Sequence, residues 1–187
     1  MKVNRILVLG LLMGMLSLPN PSFAVSWNDG SVIHEYEIFQ KSGIPWDCAA
    51  SWINTTLGGD WYLATITDAA EQSFIETNIL AGLGGEYWIG GYQNETDSPP
   101  KDNWHWVTGE PWIYTNWAFG EANDFYGTGS EFYLGVNWNG FHWNDEANLF
   151  NIAGFVAERT SSVPEPSSVF ALGSGLLGLW GFRRRFK

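Results

Sequence analysis

Cysteine is almost absent from the sequence, which contains only Cys48. A single cysteine can form no disulfide within the chain, so the fold must be held together by packing alone. The same count excludes a metal cluster built on several thiolates. The three histidines, His34, His105 and His142, are scattered and form no His-Glu-x-x-His motif, which removes the usual signature of a zinc protease.

Basic residues are also scarce between Asp29 and Glu165. That interval holds all 20 acidic residues but only Lys41, Lys101 and Arg159. Its negative charge repels phosphate backbones and favours cations, so nucleic acid is not an expected partner. The acidity also suits the solubility of an exported protein, and both interpretations stay open at this point.

The N-terminal segment, residues 1–24, has the pattern of a signal peptide. Lys2 and Arg5 precede an apolar run over residues 6–18, and residues 22–24 supply the small-x-small pattern that signal peptidase accepts. The run is short for a membrane span and is followed by two prolines. We therefore predict cleavage after this segment and export of the remaining chain.

The C-terminal segment, residues 163–187, has three parts in a fixed order. Pro164-Glu165-Pro166 is followed by an apolar, glycine-rich stretch over residues 167–182 and then by a basic cluster at residues 183–187. This order resembles the PEP-CTERM sorting signal of Gram-negative bacteria. The resemblance implies processing by an exosortase, transient anchoring in the inner membrane through a short transmembrane helix, and a final location at the cell surface, the outer membrane or the extracellular matrix. A plain C-terminal membrane anchor is the alternative, with the basic end in the cytoplasm.

The intervening residues 25–162 have room for one domain, and their composition favours short strands and tight loops. The chain contains 12 Trp, 7 Tyr, 12 Phe and 22 Gly, a mixture that disfavours a helical bundle. Two helices are predicted near the front: apolar spacing gives one at residues 46–57, and an N-cap candidate within residues 67–71 gives a second that runs to about residue 80. Strands are predicted at 31–40, 87–92, 104–107, 132–136, 140–143 and 153–158, with a short buried segment at 63–66. These elements indicate the α+β class.

Residues 110–129 form a long segment without helical or strand periodicity, and such a loop in a small domain usually has a function. Carboxylate and amide residues are concentrated in it and just after it: Glu121, Asn123, Asp124, Glu131, Asn144 and Asp145. Ca²⁺ takes six to eight oxygen ligands in flexible geometry, which these side chains can supply. The same residue types also form turns, so spacing alone leaves a calcium site and a set of turns as alternatives.

Several sequence blocks, taken in order, resemble a C-type lectin-like domain over about residues 31–159. The blocks are Trp46 with Ala49, 63–66, Glu71-Gln72, 88–91, 104–111, 114–117, 120–124, Glu131, 143–145 and 155–158. The resemblance implies two helices flanking small antiparallel sheets, with a long loop region that bears the ligand site.

The same resemblance implies the residues of that site. In sugar-binding members, a Glu-Pro-Asn or Gln-Pro-Asp motif, a downstream glutamate and a Trp-Asn-Asp triplet coordinate one Ca²⁺, which binds two vicinal sugar hydroxyls. The corresponding residues here, expected to bind both metal and carbohydrate, are Glu121, Asn123, Glu131, Asn144 and Asp145. The Glu and Asn of the loop motif resemble the mannose type. Ala122 replaces a proline that is cis in the family, and Ala157 stands where a cysteine is expected.

We therefore predict a binding protein and not an enzyme, with Ca²⁺ as its cofactor and carbohydrate or extracellular polysaccharide as its partner. Two alternatives stay open. A lectin-like domain can bind a protein without calcium, as an adhesion or matrix component. A pair of carboxylates can also serve a glycan hydrolase, although the sequence does not give their separation.

Overall fold

The computed structural model describes residues 24–94, 99–148 and 151–163. The predicted signal peptide and sorting tail lie outside these residues, except for Ala24 and Val163. Across the described ranges, no helix has both the length and the apolar character needed to cross a membrane.

Both predicted helices are present. Helix α1 spans Trp46–Thr56. Helix α2 spans Ala69–Ile75 and continues as a π-helical turn over Glu76–Leu80. Asp68 caps α2, because its side chain accepts hydrogen bonds at 2.8 and 2.9 Å from two backbone N–H groups of the first turn. The cap explains why the helix begins at Ala69, within the segment in which the sequence predicts its N-terminus.

Eight strands form one sheet in the described part of the chain. They are β1 Val25–Asn28, β2 Val32–Phe39, β3 Tyr62–Leu63, β4 Tyr87–Tyr92, β5 His105–Trp106, β6 Tyr133–Trp138, β7 His142–Glu146 and β8 Gly154–Ser162. Their order is β1-β2-β8-β4-β6-β7, with β3 paired to β8 and β5 paired to β4. The β4–β8 pair is parallel and joins antiparallel groups of strands into one mixed sheet. The α+β class is confirmed.

Strand β1 is not among the strands predicted from the sequence. Val25–Asn28 pairs with β2, with Val25 opposite Tyr36. Four residues are too few to carry a recognisable alternation, and this strand exists because the edge of β2 offers it hydrogen-bonding partners.

The packing around β4 depends on two glycines. A Cβ atom at Gly90 would lie 2.5 Å from the carbonyl oxygen of Leu63, and one at Gly91 would lie 2.5 Å from a Leu134 side-chain carbon. Both positions therefore need glycine for close approach of β4 to its neighbours. The adjoining core residues Ile89 and Leu134 are fully buried.

Candidate functional site

The long loop between β5 and β6 is braced by tryptophans around Trp143 of β7. Trp143 is fully buried, and its ring centroid lies 5.6 to 5.9 Å from those of Trp106, Trp112 and Trp117. The Trp143 indole N–H donates a hydrogen bond to the Gln72 side-chain oxygen at 2.9 Å. The buried rings and this bond fix the base of the loop against β7 and α2.

Backbone hydrogen bonds bring the loop alongside β7. The Trp143 N–H donates to the Asn116 carbonyl at 2.8 Å, and the Ala118 N–H donates to the Trp143 carbonyl at 2.9 Å. The sequence predicts that this strand ends at Trp143, but β7 continues through Glu146. Asn144 and Asp145 therefore stand on a rigid strand, next to the loop.

Asp145 ties that strand to the loop motif. It is fully buried, and its carboxylate accepts hydrogen bonds from the Asn123 N–H at 2.9 and 3.0 Å and from the Asp124 N–H at 2.8 Å. The peptide bond between Glu121 and Ala122 is cis, as the family resemblance implies for this position. The structure thus brings Asn123 and Asp145 together.

Asp124 and Glu131 close the loop on itself. The Asp124 carboxylate accepts hydrogen bonds from the N–H groups of Gly129, Ser130 and Glu131 at 2.8 to 3.1 Å. The Glu131 carboxylate accepts one from the Phe125 N–H at 2.5 Å. Residues 124–131 therefore form a compact turn with Glu131 at its end.

A cavity of about 230 Å³ lies where the loop meets the β6–β7 hairpin. Its lining residues are Glu121, Asn123, Phe125, Tyr126, Glu131, Trp138, Asn144, Glu146 and Asn151. Four of the five predicted site residues line it, and the fifth, Asp145, holds the backbone at Asn123. The Asn144 amide donates a hydrogen bond to Glu146 at 2.9 Å, which turns the Asn144 carbonyl oxygen away from Glu146.

The carboxyl groups of the site resist ionisation. Burial, with the nearby charge of Asp145, raises the pKa of Glu121. Burial also raises the pKa of Glu131 to about 7, although the hydrogen bond from the Phe125 N–H opposes the shift. Burial also raises the pKa of Asp145, although the backbone N–H groups that donate hydrogen bonds to its carboxylate oppose the shift. A nearby positive charge would stabilise the ionised form of these crowded carboxyl groups.

One oxygen of the site has no partner in the described part of the chain. The Oε2 atom of Glu121 is buried and accepts no hydrogen bond there. A buried carboxylate oxygen without a partner is costly unless a donor or cation satisfies it. The oxygen-only donor set and this unsatisfied atom fit a hard cation such as Ca²⁺.

Known proteins share the architecture of this domain. Ladderlectin from Oncorhynchus mykiss is 33% identical over 86 residues, which cover 44% of this chain and 42% of ladderlectin. The crystal structure of the C-type lectin CEL-I from Cucumaria echinata matches with a TM-score of 0.59 at 21% identity, over 78% of this chain and 100% of CEL-I. The cow CD23 C-type carbohydrate-recognition domain, crystallised with a GlcNAc2Man3 oligosaccharide, matches with a TM-score of 0.56 at 20% identity, over 73% of this chain and 98% of that chain. The domain has the C-type lectin-like fold.

The lectin-like domain is followed by a sorting motif. The family model described as a PEP-CTERM protein-sorting motif matches residues 162–185. The resemblance inferred from Pro164-Glu165-Pro166 and the basic cluster is confirmed.

Two acidic residues near the lectin-like site were missed by sequence reasoning. Glu146 follows the Trp-Asn-Asp triplet directly, and this adjacency is the signal that could have identified it. Glu86 is buried, its Oε1 atom has no hydrogen-bond partner in the described ranges, and burial followed by the Glu146 charge raises its pKa to about 9. Glu86 precedes β4, far from the loop in sequence, so no local pattern could connect it with Glu146.

A second polar cluster lies in the lectin-like core, outside the predicted site. His34, Glu71 and Glu158 are buried, and their potential ligand atoms lie within 4.8 Å of one another. The His34 Nδ1 atom is 2.7 Å from Glu158 Oε1 and 3.8 Å from Glu71 Oε1, while its Nε2 atom is 3.6 Å from Asp29 Oδ2. Both ring nitrogens thus face carboxylates, so a protonated His34 supplies the counter-charge of this cluster. Burial opposes its protonation, but the hydrogen bond and charge of Glu158 and the charge of Glu71 raise the pKa of His34.

Proposed function

We propose that this chain is an exported, carbohydrate-binding lectin-like protein that works through Ca²⁺. The ligands of the ion and of the sugar are Glu121, Asn123, Glu131, Asn144 and Asp145. The observation that carries the proposal is the buried, partnerless Glu121 oxygen among crowded carboxyls, at a cavity open to a ligand. A bound Ca²⁺ supplies the positive charge that this arrangement needs and coordination positions that two sugar hydroxyls complete.

The side chains of the site have separate roles in binding. Asp145 fixes the loop backbone at Asn123 through two hydrogen bonds, which keeps the Asn123 side chain near the cavity. Glu146 holds one end of the Asn144 amide, which leaves the carbonyl oxygen to act as a ligand. The Glu and Asn of the loop motif support a preference for mannose-type sugars. The cow CD23 domain, which shares the fold, was crystallised with a mannose-containing oligosaccharide.

A glycan array probed with the purified protein tests this function. In millimolar Ca²⁺ we expect retention on mannose-containing glycans, and we expect a chelator to abolish it because the crowded carboxyls then repel one another without a cation. Equal retention with and without chelator would support the calcium-independent interaction module instead. Shortening of a bound polysaccharide by the purified protein would support the hydrolase.

Exposed apolar side chains on the long loop favour the interaction module as the second candidate. Ile113 is 81% exposed, and Phe119 is fully exposed. Neither lines the cavity, so a protein partner could bind them without the cation site.

The two ends of the chain support a location at the cell surface or in the extracellular polysaccharide matrix, after export and removal of the sorting tail. Mass spectrometry of the surface fraction should find Val25 as the first residue and a C-terminus close to Pro164-Glu165-Pro166. An intact Met1 would contradict export by signal-peptide cleavage. A product ending in Lys187 would favour a plain membrane anchor.

A further inference from the structure

Three exposed aromatic side chains line the same cavity as the predicted ligands. Phe125 is 76% exposed, Tyr126 63% and Trp138 44%. Aromatic rings gathered at a cavity offer a large, rigid contact area to a ligand at low cost in conformational entropy. Their arrangement beside carboxylates suits a ligand that has both an apolar face and a polar edge.

Phe125 and Tyr126 form the first aromatic wall, on the loop. Their rings meet edge to face with centroids 5.2 Å apart. The Phe125 N–H donates to Glu131, and Asp124 accepts three backbone hydrogen bonds from the same turn. This wall therefore shares its backbone support with the predicted cation ligands.

Trp138 forms the second aromatic wall, at the end of β6. The neighbouring Asn137 has a φ of 77°, and its side-chain amide donates hydrogen bonds to the carbonyls of Leu83 and Gly85 at 3.2 and 2.8 Å. These bonds anchor the β6–β7 hairpin to the segment before β4. The position of Trp138 is therefore set independently of the loop that carries Phe125.

The charge around the cavity discriminates between sugars. Glu121, Glu131 and Glu146 line it, and the Asp145 carboxylate holds its backbone. One divalent cation cannot neutralise four carboxylates, so a ligand with its own carboxylate meets a negative potential. The volume of about 230 Å³ lies below the range of roughly 300 to 1,000 Å³ for drug-sized ligands, which favours a single ring.

We propose that the cavity takes one neutral pyranose ring, packed between Trp138 and the Phe125–Tyr126 pair, that Trp138 supplies much of the affinity for this ring, and that the surrounding charge sets the selectivity. This inference rests on the proposed function, because the cation site binds the hydroxyls of the same ring. The C–H faces of the sugar contact the aromatic walls, and the rest of a glycan extends into solvent. Sugars with a carboxylate, such as uronates, are rejected by the surrounding charge.

Calorimetric titration of the purified protein with methyl α-mannoside, in saturating Ca²⁺, tests the inference. Trp138→Ala should weaken sugar binding about tenfold and leave Ca²⁺ affinity within about twofold, because Trp138 contacts the ring and not the ion. Trp138→Phe should recover most of the loss. Ile113→Ala, a control at an exposed apolar residue outside the cavity lining, should bind like wild type. The corresponding methyl mannuronoside should bind at least about tenfold more weakly than the mannoside.

Equal affinities of Trp138→Ala and wild type for methyl α-mannoside would overturn the role of Trp138. If both proteins still bound the sugar only in the presence of Ca²⁺, the proposed function would stand. Equal affinities for the mannoside and the mannuronoside would overturn the selection for neutral sugars. A wild-type protein that binds Ca²⁺ but no glycan on the array would overturn the proposed function and this inference together.

Discussion

Asp145→Asn is expected to abolish calcium-dependent glycan binding, because it should weaken Ca²⁺ affinity at least roughly 100-fold. This loss is larger than the usual effect of removing a residue that only hydrogen-bonds to a metal ligand. Asp145 is fully buried, carries a charge in the predicted ligand set and holds the backbone N–H groups of Asn123 and Asp124. Asparagine has nearly the same shape and keeps one carbonyl oxygen for those donors. The other oxygen becomes an NH2 group that cannot accept a hydrogen bond, so the loss reports the missing charge together with a weaker hold on the loop backbone.

Asp102→Asn is a matched control, because Asp102 is exposed and outside the cavity lining. It should leave both affinities unchanged. Circular dichroism of both variants in chelator should match that of wild type. Retention of glycan by Asp145→Asn in a calcium-dependent manner would remove Asp145 from the site.

His34→Leu is expected to lower the free energy of unfolding by about 3 to 5 kcal/mol, the usual cost of removing one member of a buried ion pair. The substitution leaves Glu71 and Glu158 buried without the cation between them. His105→Leu makes the same change at an exposed histidine on β5, whose ring lies 5.7 Å from that of Tyr92, and should cost clearly less than His34→Leu because no buried carboxylates in the described ranges depend on it. Denaturant unfolding in chelator measures both. Equal effects of the two substitutions would contradict the role of His34 as the counter-charge.

The same cluster predicts how stability depends on pH. Because the folded-state pKa of His34 is raised above its ordinary 6.5, its stabilisation is complete below about pH 6.5 and is lost as pH rises through the folded-state pKa. Burial raises the pKa of Glu71 from 4.5 to about 7, so the stability that its protonated form contributes is lost as pH rises from about 4.5 to 7. In chelator, the free energy of unfolding should therefore fall from about pH 4.5 to 7 and fall further as pH rises through the folded-state pKa of His34, and NMR titration of the His34 ring should give a pKa above 6.5. A pKa below 6.5 would contradict this account.

The sequence predicts those parts of the fold whose signals are local. An N-cap candidate locates the start of α2, and a short aromatic run bounded by polar loops locates the six residues of β4 with the correct bounds. The ligand set is recognisable because the loop motif and the Trp-Asn-Asp triplet are short continuous segments. Strand β1 and the extension of β7 through Glu146 escape because each is set by hairpin pairing with the adjacent strand and carries no clear apolar pattern of its own.

The buried charge clusters escape because their members are far apart in the chain. His34 and Glu158 lie 124 residues apart in the chain yet 2.7 Å apart in space, and no period in the sequence encodes that contact. Glu86 and Glu146 likewise meet only because β4 and β7 flank β6. The chemistry of each residue is visible in the sequence, but its neighbours are set by sheet order.

Calorimetric titration of the purified wild-type protein with CaCl2, after removal of bound metal by a chelator, tests the central claim most directly. We expect saturable binding of Ca²⁺ that Asp145→Asn loses and Asp102→Asn retains, because only Asp145 belongs to the ligand set. Absence of saturable binding by the wild-type protein, or equal binding by Asp145→Asn, would contradict a calcium site formed by Glu121, Asn123, Glu131, Asn144 and Asp145.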